Sequence, residues 1–287
     1  MSLRSLALLA AFTLSCALSA AERNDKGAEH LGFKLALQAW TAHHTSLWET
    51  IDIAQTVGLK YIELYPGQTI GGGIEGKFDH NSGADVRAKV LARLTEAGIK
   101  PIAYGVVGLD KDEAKSRKVF EFAKAMGIQV INSEPNADAF DTIEKLVKEF
   151  DIKVGLHDHP KPSKYWSPES VLAVVSSRDE RIAACADTGH WPRSGLDPVE
   201  AINQLGKRIV SSHLKETDKI GQGARDIVYG TSAASKSVKD QLAAFKAQGF
   251  RGPLSLEYEA GKKGQELLND LKVMVKYFDD VTTELAK

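Results

Sequence analysis

The chain has 287 residues, of which 43% are hydrophobic and 26% are charged, and its formal net charge is −1. This composition is typical of a globular protein and is sufficient for one large α/β domain. The near-neutral charge gives no reason to expect nucleic acid or an acidic membrane surface as a partner.

The first 21 residues predict an export signal. Arg4 precedes the apolar run LALLAAFTLSCALSA, which is too short to span a bilayer comfortably, and Ser19 and Ala21 satisfy the small-residue rule for cleavage. We therefore expect a periplasmic or secreted protein without a membrane span. Lipoprotein anchoring at Cys16 is a minor alternative. Residues 22–32 are predicted to be a flexible lead-in.

Strand-like and helix-like segments alternate along the rest of the chain. The predicted strands cover residues 34–40, 58–65, 99–107, 128–135, 151–159, 181–190, 208–216 and 252–259. The predicted helices cover residues 46–57, 84–97, 111–126, 138–149, 168–177, 197–206, 235–248 and 262–280. Boundary signals support several of them; for example, Asp197 and Pro198 begin one helix and Gly206 ends it.

Eight strand–helix units in about 250 residues match the size and rhythm of a (β/α)8 TIM barrel. A doubly wound open sheet is the competing architecture, since periodicity alone does not separate the two. An open sheet gathers its site at one switch point, whereas here at least four successive strands end in polar candidates. The sequence therefore favours one barrel domain over residues 33–287.

The last four predicted strands each end in side chains that commonly bind metals. These are His157, His159, Asp187, His190, His213, Glu257 and Glu259. In a parallel barrel such strand ends converge on one rim, which carries the active site. Carboxylates with aliphatic neighbours are unfavourable to bury unless they are paired or bound to metal. The pattern indicates a metal enzyme, although a turn aspartate and a surface histidine are the ordinary alternative for the sixth strand.

These residues resemble the xylose isomerase-like TIM barrel superfamily of sugar isomerases, ketose 3-epimerases, inosose dehydratases and apurinic endonucleases. The segments CADTGHW and HLKE are similar to a subgroup described as sugar phosphate isomerase/epimerase. The resemblance implies a divalent metal bound by Asp187, His213 and Glu257, at the ends of the sixth, seventh and eighth strands. It also implies that His190 contacts substrate or a second metal.

The fifth strand departs from the family pattern. Many ketose epimerases carry a glutamate where this chain has His157, and Glu134, at the end of the fourth strand, offers a further carboxylate. The predicted metal ligands are then Glu134, His157, Asp187, His213 and Glu257. Such a set suits Mn²⁺, Co²⁺ or Zn²⁺ better than Ca²⁺, with Mg²⁺ as a further candidate. The alternatives are that Glu134 is a catalytic base or a helix-start residue, and that His157 only orients a ligand.

The implied metal suggests chemistry through an enolate, because a divalent cation stabilises the charge that forms when a proton leaves the carbon beside a carbonyl. Glu134 or Glu257 is the candidate base, and His159 is a candidate substrate contact. Lys215 is predicted to steady an oxyanion, with an ordinary surface lysine as the alternative.

Aromatic side chains give weak support for a sugar substrate. Trp40, Trp166 and Trp191 fall on loops or strand ends of the expected active face, where flat rings stack on sugars. The stretch TIGGGIEGKF fits G-x-G-x-x-G, but Phe78 stands where a P-loop needs Ser or Thr. This stretch is predicted to be a flexible loop that closes over substrate, with a plain exposed loop as the alternative.

The sequence therefore predicts an exported, metal-dependent isomerase or epimerase acting on a keto-sugar or related small carbohydrate. A lyase or dehydratase using the same site, for example on 3-keto-glycosides, is the closest alternative, and export favours it because phosphorylated sugars are mainly intracellular. A non-catalytic carbohydrate-binding barrel is the alternative from another class. A nuclease is disfavoured by the neutral charge. The oligomeric state is left open.

Overall fold

The computed structural model describes residues 23–233 and 236–287. The predicted export signal and Cys16 lie outside these residues. The strands are β1 (Phe33–Gln38), β2 (Tyr61–Leu64), β3 (Gln68–Gly71), β4 (Ile74–Phe78), β5 (Lys100–Tyr104), β6 (Val130–Ser133), β7 (Lys153–His157), β8 (Ile182–Asp187), β9 (Ile209–Leu214) and β10 (Gly252–Leu256). The helices are α1 (Lys26–Leu31), α2 (Leu47–Thr56), α3 (Ala84–Glu96), α4 (Glu113–Met126), α5 (Phe140–Phe150), α6 (Pro168–Val175), α7 (His190–Arg193), α8 (Pro198–Leu205), α9 (Val238–Ala247) and α10 (Gly264–Leu285).

Eight strands form a closed parallel barrel. β1 pairs with β2 on one side and with β10 on the other, β2 pairs with β5, and β5 to β10 pair in chain order. The predicted (β/α)8 barrel is confirmed, and the open sheet is excluded because the last strand closes onto the first. Short 3₁₀ helices at Ala39–Ala42 and Ala137–Ala139 follow β1 and β6.

The barrel interior changes from apolar to polar along its axis. Ala36, Val130 and Ala183 form part of a small buried apolar cluster. Two residues further along their strands lie Gln38, Asn132 and Cys185, and alternation along a strand places these on the same inward face. The polar side chains of the interior therefore lie towards the carboxyl ends of the strands. The main hydrophobic core packs the outer faces of the strands against the helices.

Gly155 of β7 shows how closely the polar layer is packed. A Cβ atom at Gly155 would lie 2.5 Å from Asn132 Oδ1 and 2.8 Å from Cys185 Cβ, so a larger residue does not fit between the neighbouring strands. His157 follows two residues later and therefore shares the inward face with Gly155. Cys185 is buried in this layer, as expected for a cysteine in an apolar strand.

Two segments differ from the sequence-based expectations. The predicted flexible lead-in contains α1, whose Gly27 backbone packs directly against the backbone of Thr282 in α10. The glycine-rich stretch forms an antiparallel hairpin of β3 and β4 rather than an open loop. Gly72, at the turn of this hairpin, has a φ of +59° and lies against the Trp48 indole of α2. The indole leaves no space for a side chain at position 72.

Within the described ranges, none of the helices combines the length and hydrophobicity that a bilayer crossing requires.

Candidate active site

A cavity of about 320 Å³ opens at the carboxyl ends of the barrel strands. It is lined by Gln38, Trp40, Tyr65, Pro66, Gly105, Val106, His157, His159, His190, His213, Glu257 and Glu259. These residues come from the ends of β1, β2, β5, β7, β9 and β10 and from the first residue of α7. The cavity therefore lies on the rim where TIM barrels carry their active sites.

His157, Asp187 and His213 form a compact buried triangle at the floor of this cavity. His157 Nε2 lies 3.1 Å from His213 Nδ1 and 3.5 Å from Asp187 Oδ2. The third side, from His213 Nδ1 to Asp187 Oδ2, is 3.7 Å. The register explains this closeness, since Asp187 on β8 is paired with His213 on β9, and His157 on β7 adjoins β8.

Asp187 is held by its own turn. Its Oδ1 accepts backbone hydrogen bonds from Gly189 and His190, each 2.9 Å long. Its Oδ2 is completely buried and makes no hydrogen bond of acceptable angle, although Lys215 Nζ is only 2.9 Å away. The contact between Lys215 and Asp187 is therefore ionic and is not a directional hydrogen bond. Asp187 Oδ2 retains lone pairs that could bind a further cation.

The triangle fits a divalent metal ion by both its size and its chemistry. Imidazole and carboxylate donors are the usual ligands of zinc, and bonds of about 2.0–2.2 Å place neighbouring ligand atoms at separations like those of the triangle. A fourth potential ligand atom is close, because Glu257 Oε2 lies 3.1 Å from His213 Nδ1. The buried Oδ2 of Asp187 is the polar atom that such an ion would satisfy.

Glu134 lies on the other side of the His157 ring from the triangle and forms a second group of possible ligands with His157 and His159. Its Oε1 lies 3.2 Å from His157 Nδ1, the ring nitrogen opposite to the one in the triangle, and it also contacts His159 Nδ1. The structure thus separates Glu134 from the other four predicted ligands and places it behind the His157 ring. Its geometry is that of a carboxylate that orients a metal-binding histidine, a common arrangement around metal sites.

Glu134 and His159 form a pair at the edge of the site. Burial opposes the ionised form of Glu134, but hydrogen bonds from His157 and His159 lower the pKa of Glu134 to about 2. The same contact with Glu134 raises the pKa of His159 above its usual value. The His159 side chain is 49% exposed and lines the cavity, so its imidazole reaches the space in which a ligand would lie.

His190 is a buried neutral imidazole. Burial lowers the pKa of His190 well below its usual value. Arg193 Nη1 donates to His190 Nδ1 at 2.8 Å, so the remaining ring proton is on Nε2, which lies 3.5 Å from Asp187 Oδ2. His190 therefore presents a fixed N–H at the cavity wall.

Lys215 is buried, which excludes the surface lysine that the sequence analysis gave as the alternative. Its Nζ lies 2.9 Å from Asp187 Oδ2, 2.8 Å from Glu257 Oε2 and 2.7 Å from Glu259 Oε2. Burial disfavours the charged form, but the carboxylates of Asp187 and Glu257 raise the pKa of Lys215 well above its usual value. The ammonium group thus neutralises part of the acidic cluster beside the triangle.

The three predicted stacking tryptophans have different surroundings. Trp40 lines the cavity and is 42% exposed. Trp191 is 1% exposed in the hydrophobic core, because the residue after His190 in a helical turn points about 100° away from it. Trp166 is half-buried under the Lys161 ammonium and does not line the cavity. Of the three, only Trp40 is positioned to contact a ligand in the cavity.

Sequence reasoning missed the polar network below the triangle. Glu63 Oε1 accepts a hydrogen bond from Asn132 Nδ2 at 2.7 Å and lies 2.9 Å from His213 Nε2. Ser255 Oγ donates to Glu63 Oε2 at 2.5 Å. The sequence does contain a signal for this network, namely the carboxylate of Glu63 inside the apolar run YIELY. A buried carboxylate needs a polar partner, so its position predicts such a network.

Comparisons with known proteins agree with this architecture. A family model described as xylose isomerase-like TIM barrel matches residues 51–277. A search of curated proteins found no match. Among solved structures, a putative uncharacterized protein from Parabacteroides distasonis ATCC 8503 aligns with a TM-score of 0.70 at 30% identity, covering 87% of this chain and 99% of that one.

Two more distant structures show likeness of fold alone. The IOLI protein, solved with a binding zinc atom, aligns with a TM-score of 0.64 at 16% identity, covering 88% of this chain and 98% of that one. A D-psicose 3-epimerase, solved in the presence of D-fructose, aligns with a TM-score of 0.62 at 14% identity, covering 88% of this chain and 97% of that one.

Proposed function

The chain belongs to the xylose isomerase-like TIM barrel family, and on this premise we propose that it is a divalent-metal-dependent sugar isomerase or epimerase. The proposed substrate is a keto-sugar or a related small carbohydrate. The observation that carries the proposal is the buried triangle of His157, Asp187 and His213 at the floor of a cavity on the active rim. The solved structures of a zinc-binding protein and of a ketose epimerase with the same fold support it.

In this proposal His157, Asp187 and His213 hold the ion, with Glu257 as a fourth ligand. A bound divalent ion supplies positive charge beside the sugar oxygen that becomes negative when a neighbouring carbon loses a proton. Mn²⁺, Co²⁺ and Zn²⁺ suit these donors best, with Mg²⁺ as a further candidate.

Side chains of the cavity then remove the proton from the sugar and return it. His159 and Glu257 line the cavity from β7 and β10, which are separated by β8 and β9, so they reach a ligand from different walls. Two proton-handling groups on different sides are what an epimerase needs to remove a proton from one face and return it to the other. Glu134 contacts both His157 and His159 and positions them.

Deuterium exchange tests the proposed reaction. Metal-loaded protein is incubated with a panel of ketoses in D2O, and deuterium at the carbon beside the carbonyl is measured by mass spectrometry. The expected result is exchange by the wild type and its loss in Asp187→Asn, with Asp151→Asn as an exposed control. Retained sugar binding without exchange by the wild type would instead indicate a non-catalytic carbohydrate-binding protein.

A lyase or dehydratase remains the second candidate, because one observation favours it. His159 is half-exposed at the cavity, and Glu134 raises the pKa of His159, which favours the protonated imidazole that a departing oxygen would need as its proton donor. An unsaturated sugar product in the same incubation, without deuterated starting sugar, would identify this reaction.

Export stays a prediction from the sequence of residues 1–21. Mass determination of the mature protein after expression of the full chain with a secretion-competent host tests it, since cleavage after Ala21 would leave Glu22 as the first residue.

A further inference from the structure

The described residues that line the cavity offer no unpaired cation to a charged substrate. Among the described residues, no arginine or lysine lines it, while Glu257 and Glu259 do. The His159 imidazole, which also lines the cavity, is paired with the Glu134 carboxylate. A phosphate or carboxylate group on a ligand would therefore lie close to the carboxylates of Glu257 and Glu259, without an unpaired basic side chain among the described lining residues.

Lys215 and Arg193, beside the acidic side chains of the site, are both paired with carboxylates. Three carboxylate oxygens lie within 2.9 Å of Lys215 Nζ. Arg193 contacts Asp226 through Nη2, and its Nη1 contacts both Glu259 and His190. Binding a phosphate at either cation would require breaking a partly or fully buried ion pair, which is unfavourable.

Trp40 provides an apolar platform at the outer end of the cavity. It is the one exposed aromatic residue in the part of the chain that the structure describes. The indole stacks on the His43 ring with centroids 4.6 Å apart and meets the Tyr65 ring edge-on at 5.1 Å. These contacts fix the indole while 42% of the residue stays exposed. An exposed, fixed aromatic face beside a polar cavity is a surface on which another ring can stack.

The cavity itself is small. Its volume of about 320 Å³ lies at the lower end of ligand pockets, which span roughly 300–1,000 Å³. The metal-binding triangle is at its buried end, where His157 and His213 are 2% and 1% exposed. A single sugar ring at the triangle leaves a substituent to emerge towards Trp40.

Building on the proposed function, we infer that the substrate is an uncharged glycoside in which a second sugar unit stacks on Trp40. The reacting keto-sugar unit occupies the cavity and carries no phosphate or carboxylate. The specificity for this class comes from two features: the absence of a free cation in the lining and the aromatic platform at the mouth.

Binding measurements test the inference without requiring turnover. Lactulose (a disaccharide that ends in fructose), D-fructose and D-fructose 6-phosphate are titrated by calorimetry into zinc-loaded wild type and Trp40→Ala. Lactulose is expected to bind about fivefold tighter than fructose to the wild type, because the second ring covers apolar indole surface. The Ala variant should bind both sugars equally, with its fructose affinity changed less than about twofold. Fructose 6-phosphate should bind at least about fivefold more weakly than fructose.

Two control variants separate stacking from general damage. Trp40→Phe keeps an aromatic face and should keep part of the preference for lactulose, and Trp166→Ala should leave all three affinities unchanged. The inference is overturned by tighter binding of the phosphate, by equal loss of both neutral sugars in Trp40→Ala, or by the absence of binding of all three. Binding in the expected order without any turnover would refute the proposed enzyme but leave this assignment of ligand class standing.

Discussion

Glu63 and His213 form a fully buried carboxylate–imidazole pair inside the barrel, with Glu63 Oε1 2.9 Å from His213 Nε2. Hydrogen bonds from Asn132 and Ser255 hold the Glu63 carboxylate in place. Because Nε2 is directed at Glu63, Nδ1 of His213 is turned towards the triangle and Glu257. A carboxylate that accepts a hydrogen bond from one ring N–H of a histidine in this way fixes both the ring orientation and the nitrogen available to a metal.

Glu63→Gln is expected to weaken zinc binding roughly 10–100-fold, because the amide replaces the charge that orients His213. Competition with a fluorescent chelator measures the dissociation constant. Ser255→Ala removes one hydrogen bond to Glu63 Oε2 but keeps the Glu63 charge beside His213, so it should weaken zinc binding less than Glu63→Gln does. Nitrogen-15 NMR of the histidine rings should show the Nε2–H form of His213 in the zinc-loaded wild type. Equal zinc affinity in Glu63→Gln and the wild type would show that this carboxylate does not position the ligand.

Lys215 is expected to stabilise the metal-free protein more than the metal-bound one. Lys215→Met leaves the buried carboxylates of Asp187 and Glu257 without their cation, and removing one partner of a buried pair destabilises by about 3–5 kcal/mol. A bound divalent ion would neutralise the same carboxylates, so the loss should shrink when zinc is present.

Urea denaturation in EDTA and in excess zinc measures the two free energies of unfolding for Lys215→Met. Lys207→Met is the control, because Lys207 is exposed at the opposite end of β9. A loss of equal size in EDTA and zinc would contradict the idea that lysine and metal share the same acidic groups.

The fold could be predicted from the sequence because each barrel strand is a short apolar run followed by a helix with its own boundary signals. Strand ends were less certain. The predicted strand over residues 181–190 ends at Asp187, since the Asp187 side chain accepts the N–H groups of Gly189 and His190 and begins a helical turn. Hydrophobic periodicity contains no information about such a side-chain contact.

The candidate site could be predicted to the extent that the alternation of side chains along a strand and the position of a residue at a strand end determine it. His157, Asp187, His213 and Glu257 end neighbouring strands, so they come together in any barrel. Glu63 received no role because its partner, His213, is 150 residues away in the chain. The misplacement of Trp191 has a similar origin, because adjacency to His190 in the sequence does not fix the direction of a side chain within a helical turn.

The ion pair of Glu134 and His159 is expected to make stability depend on pH. The pKa of Glu134 is lowered to about 2, so its contribution is present above the ordinary carboxyl pKa and is lost as pH falls towards 2. The pKa of His159 is raised, so its contribution is present below the ordinary imidazole pKa and is lost as pH rises through the folded value. Both are present together at about pH 5–6.

Urea denaturation of the wild type and Glu134→Gln in EDTA at several pH values tests this dependence. The difference in free energy of unfolding between wild type and Glu134→Gln should be greatest near pH 5–6. At both pH 3 and pH 9 this difference should be smaller by about 0.2–1 kcal/mol, as for a partly exposed ion pair. Glu149→Gln, at an exposed carboxylate that pairs with Arg117 rather than with a histidine, is the control. A difference that stays constant from pH 5 to pH 9 would rule out a charged His159 as the partner.

Docking of α1 onto α10 makes the segment before the barrel part of the folded structure. A Cβ atom at Gly27 would lie 2.5 Å from the carbonyl carbon of Thr282 and from the amide nitrogen of Thr283, and backbone atoms of a long helix cannot move aside easily. Gly27→Ala is therefore expected to destabilise by about 1–3 kcal/mol, even though alanine is the better helix former. Lys26→Ala changes an exposed position of the same helix and should have little effect. Thermal and urea unfolding of both variants provide the comparison, and a Gly27→Ala protein as stable as Lys26→Ala would show that α1 is not packed against α10 in solution.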